Sequence, residues 1–281
     1  MTWDGPIVDH HLHLDLDRGR GVAAIEEFAD AGGTHLFVVN KPSWWYDVEV
    51  ECGADFRRGF DATLEVVAAA TDRLPGRAWA VLGVHPALLT RLTDDRGMEP
   101  AAARSLMETG IDVAGEYVAA GEAIALKSGR PHYPVDDTTW DTANAVLRHA
   151  LSCAANHDCP LQLHTESGED FTEIADWAID AGIEPDRVVK HYADGPISEL
   201  TPSVIARREP LSAAVEAGKP FFMETDYLDD PDRPGAVLGP KTVPRRVRWL
   251  AEAGHESALE IAHVSAPRNV YDVDTRQRNG T

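Results

Sequence analysis

His11 and His13 stand two residues apart in the run Asp9-His10-His11-Leu12-His13, directly after the apolar stretch Pro6-Ile7-Val8. On a strand, side chains two apart point to the same side, so this pair can bind one metal ion together. Further apolar runs lead into Gly83-Val84-His85-Pro86, Ala125-Leu126-Lys127, Leu161-Gln162-Leu163-His164, Val188-Val189-Lys190-His191 and Met223-Glu224-Thr225-Asp226. His164 and His191 can hold a second ion. Asp226 can join the first pair and accept a proton from a coordinated water. A zinc-type ion lowers the pKa of such a water towards ~7, which makes a nucleophile available at neutral pH. Hydrolysis is the chemistry such a set performs. Singly, each signal is weak: a lone strand-end histidine is usually a cap or core residue, and an isolated HxH pair arises by chance. Their joint occurrence after separate strands points to a metal site. His149, His157 and His255 fall on helical patterns and His35 precedes a strand, so these are read as structural.

Bringing these residues together requires strands whose C-terminal ends share one surface. The β-rich runs are Pro6-Ile7-Val8, Thr34–Val39, Ala78–Val84, Ala123–Leu126, Pro160–Leu163, Arg187–Val189 and Pro220–Met223, with a weaker one at Ser203–Ala206. Amphipathic stretches lie between them. Phe56, Phe60, Leu64 and Val67 share one helical face, as do Trp140, Ala143, Leu147, Leu151 and Ala154. Several helices are expected to end at glycine, as at Gly32, Gly182 and Gly218. Continuous apolar strands alternating with helices indicate a parallel sheet covered on both sides. The 281-residue length suits a (β/α)8 TIM barrel, which typically takes ~250 residues. The chain is therefore predicted to be α/β, a TIM barrel in a single domain over residues 1–281. A doubly wound sheet is the competitor, but no glycine-rich phosphate loop follows the first run.

The chain carries 47 acidic and 26 basic side chains, a formal net charge of -21, and only five lysines. The acids are spread along the whole length. Such a surface suits a protein in concentrated salt, where charge repulsion is screened within ~3 Å at 1 M. A generic basic patch for nucleic acid is excluded, although a nucleic-acid-like or other small substrate gripped through metal ions is not. No apolar run approaches the ~18 residues of a membrane span. The opening MTWDGPIVDHH has neither a basic n-region nor an apolar h-region, so a cytoplasmic location is expected. Cys52, Cys153 and Cys159 form no CxxC pair and fit a reducing compartment. Oligomeric state is not legible.

Asp9-His10-His11-Leu12-His13-Leu14-Asp15, Gly83-Val84-His85-Pro86 and Glu224-Thr225-Asp226 together resemble the motifs of TatD-like hydrolases in the amidohydrolase superfamily. The closing segment Ala262–Tyr271 resembles that family's C-terminal helix, so the likeness covers the full length. Gly129-Arg130-Pro131-His132-Tyr133 looks more like an archaeal branch than the bacterial nucleases. The resemblance implies a TIM barrel with one or two divalent cations. His11, His13 and Asp226 would bind the first, and His164 and His191 the second. Asp226 would also handle the proton of the attacking water, and His85 would sit near the substrate. Zinc suits the mixed donors first, with manganese, magnesium or iron as alternatives.

One position departs from the pattern. TatD-like proteins place a bridging glutamate at the end of strand four, where this chain has Lys127. The phosphotriesterase-like group uses a strand-four lysine that reacts with carbon dioxide, and the resulting carbamate is an anionic bridge. Carboxylated Lys127 would be equivalent to the missing carboxylate, and cations beside it disfavour the ammonium form. The alternatives are that Lys127 stays an amine and the second ion is lost or weakly held, or that Glu166 supplies the oxygen. Lys41, Arg130 and His132 are candidate substrate-binding residues. Trp44, Trp45 and Tyr46 can stack on a substrate or cover the barrel rim.

The expected function is metal-dependent hydrolysis of a phosphodiester, in the manner of TatD-like deoxyribonucleases. The alternatives are hydrolysis of an ester, lactone or amide with carboxylated Lys127, and a non-catalytic metal-binding barrel. The charge adds an expectation of its own: folding should need high salt. Thermal melts across a salt series test it, and full stability in dilute buffer would overturn the saline reading.

Overall fold

A computed structural model describes residues 2–168 and 170–277. Its strands are β1 (Val8–His13), β2 (His35–Val39), β3 (Ala78–Gly83), β4 (Ala125–Gly129), β5 (Leu161–His164), β6 (Val188–Ala193), β7 (Thr201–Ile205), β8 (Phe222–Glu224) and β9 (Tyr227–Leu228). All pairings are parallel, in the order β8-β7-β6-β5-β4-β3-β2-β1-β9. Only Thr225 and Asp226 separate β8 from β9. One stretch of chain therefore pairs with β7 on one side and then with β1 on the other. At this seam the Asp226 N–H donates to the His11 carbonyl at 2.9 Å. The sheet curls back on itself as a TIM-barrel-like fold, which the apolar runs and length predict.

The helices are α1 (Val22–Asp30), α2 (Arg57–Thr71), the short α3 (Leu88–Thr90), α4 (Pro100–Ala119), α5 (Asp137–Asn156), α6 (Thr172–Ala181), α7 (Arg208–Ala217), α8 (Thr242–Glu252), α9 (Glu256–Glu260) and α10 (Ala266–Tyr271). α5 shows how the sequence dictates one of them. The Asp136 carboxylate accepts from the Thr139 N–H at 2.8 Å and caps its start. Ala143, Leu147, Leu151 and Ala154 then repeat at helical spacing and are all buried. α6 ends at Gly182 in the left-handed region, φ 88°, which costs glycine nothing. Among the described residues no helix is long and apolar enough to cross a membrane.

Two apolar regions hold the barrel. A large cluster joins the outer strand faces to α2, α4, α5 and α6. The lumen is filled by Val8, Phe37, Val39, Trp79, Val81, Ala125, Val189 and Phe222, and α10 plugs its base with Ala266, Val270 and Tyr271. Full burial of such side chains contributes about 1.5–3 kcal/mol each relative to exposure.

The structure differs from the sequence expectations in three places. β1 begins at Val8 and runs through His13, so the histidines lie within the strand rather than after it. The weak run near Ser203 is a full strand, β7, buried at every residue. The sixth unit has no helix: residues 194–200 cross from β6 to β7 as a loop. Asp194-Gly195-Pro196 interrupts any helical pattern there, and the span is too short for a helix and two turns.

β3 and β4 approach unusually closely, and Gly83 permits it. A Cβ built on Gly83 would lie 1.8 Å from the Lys127 carbonyl oxygen. Gly83→Ala should therefore push β4 outward and cost about 1–3 kcal/mol, read as a lower midpoint in denaturant unfolding. An unchanged midpoint would show that the strands can separate freely.

Candidate active site

The site begins with an irregularity in β1. Asp9 pairs with Leu36 but Leu12 with Val38, so β1 spends one residue more than β2 over the same stretch. This β-bulge lets His10 and His11 both leave the outer face, while Leu12 packs against the helices. His10 points down to the lumen floor, stacked on Phe222 at 4.0 Å and bonded to the Ser203 hydroxyl at 2.9 Å and the Tyr271 hydroxyl at 2.7 Å. Burial pulls its pKa down to about 3. It is a neutral structural residue, and His11 and His13 are left to face the mouth.

Asp226 meets that pair across the seam. Its Oδ1 lies 3.8 Å from His11 Nε2 and 3.9 Å from His13 Nε2. Two ligands each about 2.0–2.2 Å from one cation stand up to ~4 Å apart, so these three atoms fit a shared ion. The opposite ring nitrogens are already engaged. His11 Nδ1 donates to Gln162 Oε1 at 2.7 Å, and His13 Nδ1 donates to the Val39 carbonyl at 2.9 Å. Those contacts leave the Nε2 lone pairs facing inward. Burial, reinforced by Lys127, holds both imidazoles well below their usual pKa, so both are neutral. Burial also raises Asp226 to about 6.

His164 and His191 form the other half. His164 Nδ1 and His191 Nε2 face each other at 2.8 Å. His191 Nδ1 is 3.2 Å from Glu224 Oε1, and His164 Nε2 is 2.8 Å from His132 Nδ1. The two facing nitrogens can serve together as ligands of a second ion when His132 accepts the outer proton of His164. Glu224 also accepts from the Tyr192 N–H at 2.8 Å. Tyr192 and Asp226 both sit in the left-handed region, φ 53° and 48°. A tyrosine there is strained, and both residues are at the mouth, where such strain is concentrated. The donor atoms of His11, His13 and Asp226, and those of His11, His191 and Glu224, each lie within 4.8 Å of one another. Glu224 Oε1 already holds a ring and a backbone N–H, so it orients His191.

Lys127 enters the same cluster. It is buried, and its Nζ lies 3.0 Å from His11 Nε2, so the strand-four position does face the ligands. Burial lowers its pKa to about 8, which brings the free amine within reach near neutral pH. Glu166 is placed differently from its sequence-based alternative role. Its carboxylate pairs with Arg130 and accepts from the Thr165 hydroxyl, so both of its oxygens are already engaged.

The remaining predicted residues divide. His85 stands beside His164, ring centroids 4.6 Å apart, and its Nδ1 accepts from the Ala87 N–H at 3.1 Å, so the proton sits on Nε2. His132 lines the mouth cavity, about 360 Å³, with His164, His191 and Asp226. Lys41 is buried elsewhere, donating to the Asp229 carbonyl with its ammonium 3.3 Å from the Trp45 ring centroid. Arg130 is held by Glu166, Glu173 and Asn144 and stacks near Trp140. Both cations are thus held by neighbouring groups of the chain. Trp45 donates to Asp15 at 2.6 Å, and Trp44 sets its edge against His85. Gln162 and Glu224 were not assigned roles from sequence. Gln162 shares a strand face with His164 by alternation, and a polar side chain in that apolar run was the available signal.

The sequence profile of the family described as TatD related DNase matches residues 8–270. The uncharacterized protein MJ1127 of Methanocaldococcus jannaschii is 33% identical over 284 residues, covering 96% of each chain. Among solved structures, a TatD-like protein from Archaeoglobus fulgidus matches with a TM-score of 0.57 at 16% identity, over 95% of this chain and all (100%) of that one. The organophosphorus hydrolase of Deinococcus radiodurans matches with a TM-score of 0.61 at 14% identity, over 95% of this chain and 93% of that one. A variant of a phosphotriesterase-like lactonase from the same organism gives 0.61 at 14% identity, over 95% and 96%. At these identities the solved structures speak for the fold alone.

The outer contacts of the rings carry a forecast. Gln162→Leu removes the acceptor that orients His11 and should weaken cation binding by roughly 10–100-fold. Competition between the protein and a chromogenic chelator measures this, and an unchanged affinity would show that His11 needs no such partner.

Proposed function

Given that the chain belongs to the TatD-related DNase family and is a metal-dependent hydrolase, we propose that it cleaves phosphodiester bonds of the DNA type. The observation that carries this reading is the convergence of His11 Nε2, His13 Nε2 and Asp226 Oδ1 at 3.8–3.9 Å, with both outer ring nitrogens engaged. These residues would hold a first divalent cation, zinc or alternatively manganese, magnesium or iron. His164 and His191 would hold a second. A bound cation supplies a Lewis acid that polarises a phosphoryl oxygen and acidifies a water. Asp226, its pKa raised to about 6 by burial, is poised to take a proton from the attacking water on the carboxylate oxygen that the cation leaves free. His85 would donate its Nε2 proton as a hydrogen bond to a phosphoryl or leaving oxygen. Gln162, Val39, Glu224 and His132 keep the four imidazoles turned so that a cation would meet lone pairs rather than N–H groups.

A second reading, hydrolysis of an ester, lactone or amide, is favoured by one observation. Lys127 lies inside the ligand cluster on β4, where a carbamate on its Nζ would be an anionic bridge. In either case the acidic surface supports work in a salty cytoplasm, with a substrate recognised at the mouth and no membrane or basic patch involved.

Metal-loaded protein should cleave bis(p-nitrophenyl) phosphate and single-stranded DNA. Asp226→Asn should lower kcat by roughly 10²–10⁴-fold with an unchanged unfolding midpoint. Wild-type-like turnover in that variant would overturn the mechanism. Turnover of lactones or aryl esters, with none of phosphodiesters, would select the second reading. Carbon-13 NMR in labelled bicarbonate should show a carbamate signal that Lys127→Met removes; its absence in the wild type would leave Lys127 an amine.

A further inference from the structure

No helix follows β6, and the loop of residues 194–200 covers this part of the barrel instead, with Ile197 and Leu200 buried. Beside that loop lies a groove of about 510 Å³, walled by Ser167, Lys190, Tyr192, Ile197, Ser198 and Ala213. The mouth cavity, which contains the candidate metal ligands, shares Ser167, Lys190 and Tyr192 with it. The two therefore form one depression that runs from Asp226 over the rim between β5 and β7.

Lys190 stands at the junction. Its side chain is buried, and its Nζ donates to the His191 carbonyl at 2.6 Å. Among the described residues no carboxylate comes within 4.0 Å of it; Glu224, Glu166, Asp194 and Asp226 act on it only from farther away. The contrast with the exposed Lys241, which pairs with Glu27 at 2.9 Å, is informative. In a chain with 47 acids and 26 bases, pairing a lysine is easy, and burying one without a close ion-pair partner is costly. Two of its three protons have no partner among the described residues. At the far end of the groove Lys219 donates to the Ser198 hydroxyl at 3.2 Å, which places a second cation beside the same path. Asp194 on the wall is exposed to water, where its charge is screened.

We propose that this groove is a subsite for the substrate chain beyond the bond that is cut, with Lys190 donating to a phosphate oxygen of the neighbouring nucleotide. Ile197 and Ala213 offer apolar contact to a sugar or base, and Ser167 and Ser198 offer hydroxyls. The proposal rests on the phosphodiester reading above. It explains how an acidic protein can hold an anionic polymer: the counter-charge is confined to one groove rather than spread over the surface.

The test uses a fluorescein-labelled tetrathymidylate, bound to metal-free protein and followed by anisotropy, beside turnover of unlabelled dithymidylate by metal-loaded protein. Lys190→Met should weaken tetranucleotide binding by roughly 10-fold, the effect of one charged hydrogen bond, and Lys190→Arg should restore most of it. Ala213→Trp, remote from every ligand, should fill the groove and weaken tetranucleotide binding while leaving dithymidylate turnover unchanged. Cleavage of dithymidylate with tetranucleotide binding unaffected by either variant would overturn the groove and leave the phosphodiester reading standing. A wild-type protein that neither binds the tetranucleotide nor cleaves the dinucleotide would overturn both. Loss of cation affinity in Lys190→Met, in step with loss of oligonucleotide binding, would reduce Lys190 to a prop for His191. Should that variant fail to fold, Ala213→Trp decides the matter alone.

Discussion

A parallel sheet of eight strands has two edges until its first strand meets its last, and here that seam is also where the chemistry is assembled. Asp9 makes the closure. Its buried carboxylate accepts from the Thr225 N–H at 3.0 Å and from the Thr225 hydroxyl at 2.7 Å, tying β1 to the turn after β8. The Asp226 N–H then reaches the His11 carbonyl, and β9 adds two ladder pairs with Leu12 and His13. Burial raises the Asp9 pKa to about 7, so the tie is made by a carboxyl group held in a place that does not favour its charge. Without the seam, His11 and His13 would be separated from Asp226 by the full circumference of the sheet.

Around the seam, polar groups are buried at high density, and each must be satisfied or explained. The histidines are kept neutral by burial and turned by acceptors on their outer nitrogens, so a low-dielectric mouth presents lone pairs to a cation. Glu224 shows how closely the parts depend on one another. One of its oxygens holds the His191 ring and the strained Tyr192 backbone. The candidate ligand His191 and Tyr192 in the wall of the mouth cavity are thereby set by the same carboxylate.

The net charge of -21 and the anionic substrate proposed above are reconciled by location. Acidic side chains dominate the outer surface, whereas Lys190 is buried beside His191. A charge in water is screened within about a Debye length, but a charge in a buried mouth is not. Few lysines suffice when they are placed where screening is weak.

Much of the barrel was legible because strand and helix periods are local properties. The apolar runs before His85, His164 and His191 and the helical faces around Phe60 and Leu147 declare themselves within a few residues of chain. The histidines, Lys127 and Asp226 were legible for a related reason: in a parallel barrel, the C-terminal end of every strand is on the same side, so position along a strand already implies the mouth. Alternation already put His11 and His13 on one side, but sequence could not reveal that His10 turns to the lumen floor rather than outward, since a one-residue bulge decides it through pairing with β2. Nor could it show that Arg130 and Lys41 are engaged by Glu166 and by the Asp229 carbonyl, 36 and 188 residues away. Residue type and spacing determine which elements form and which side chains reach the mouth. Partnership, tautomer and the groove beside the loop after β6 depend on contacts between distant segments, and only the closed tertiary structure decides them.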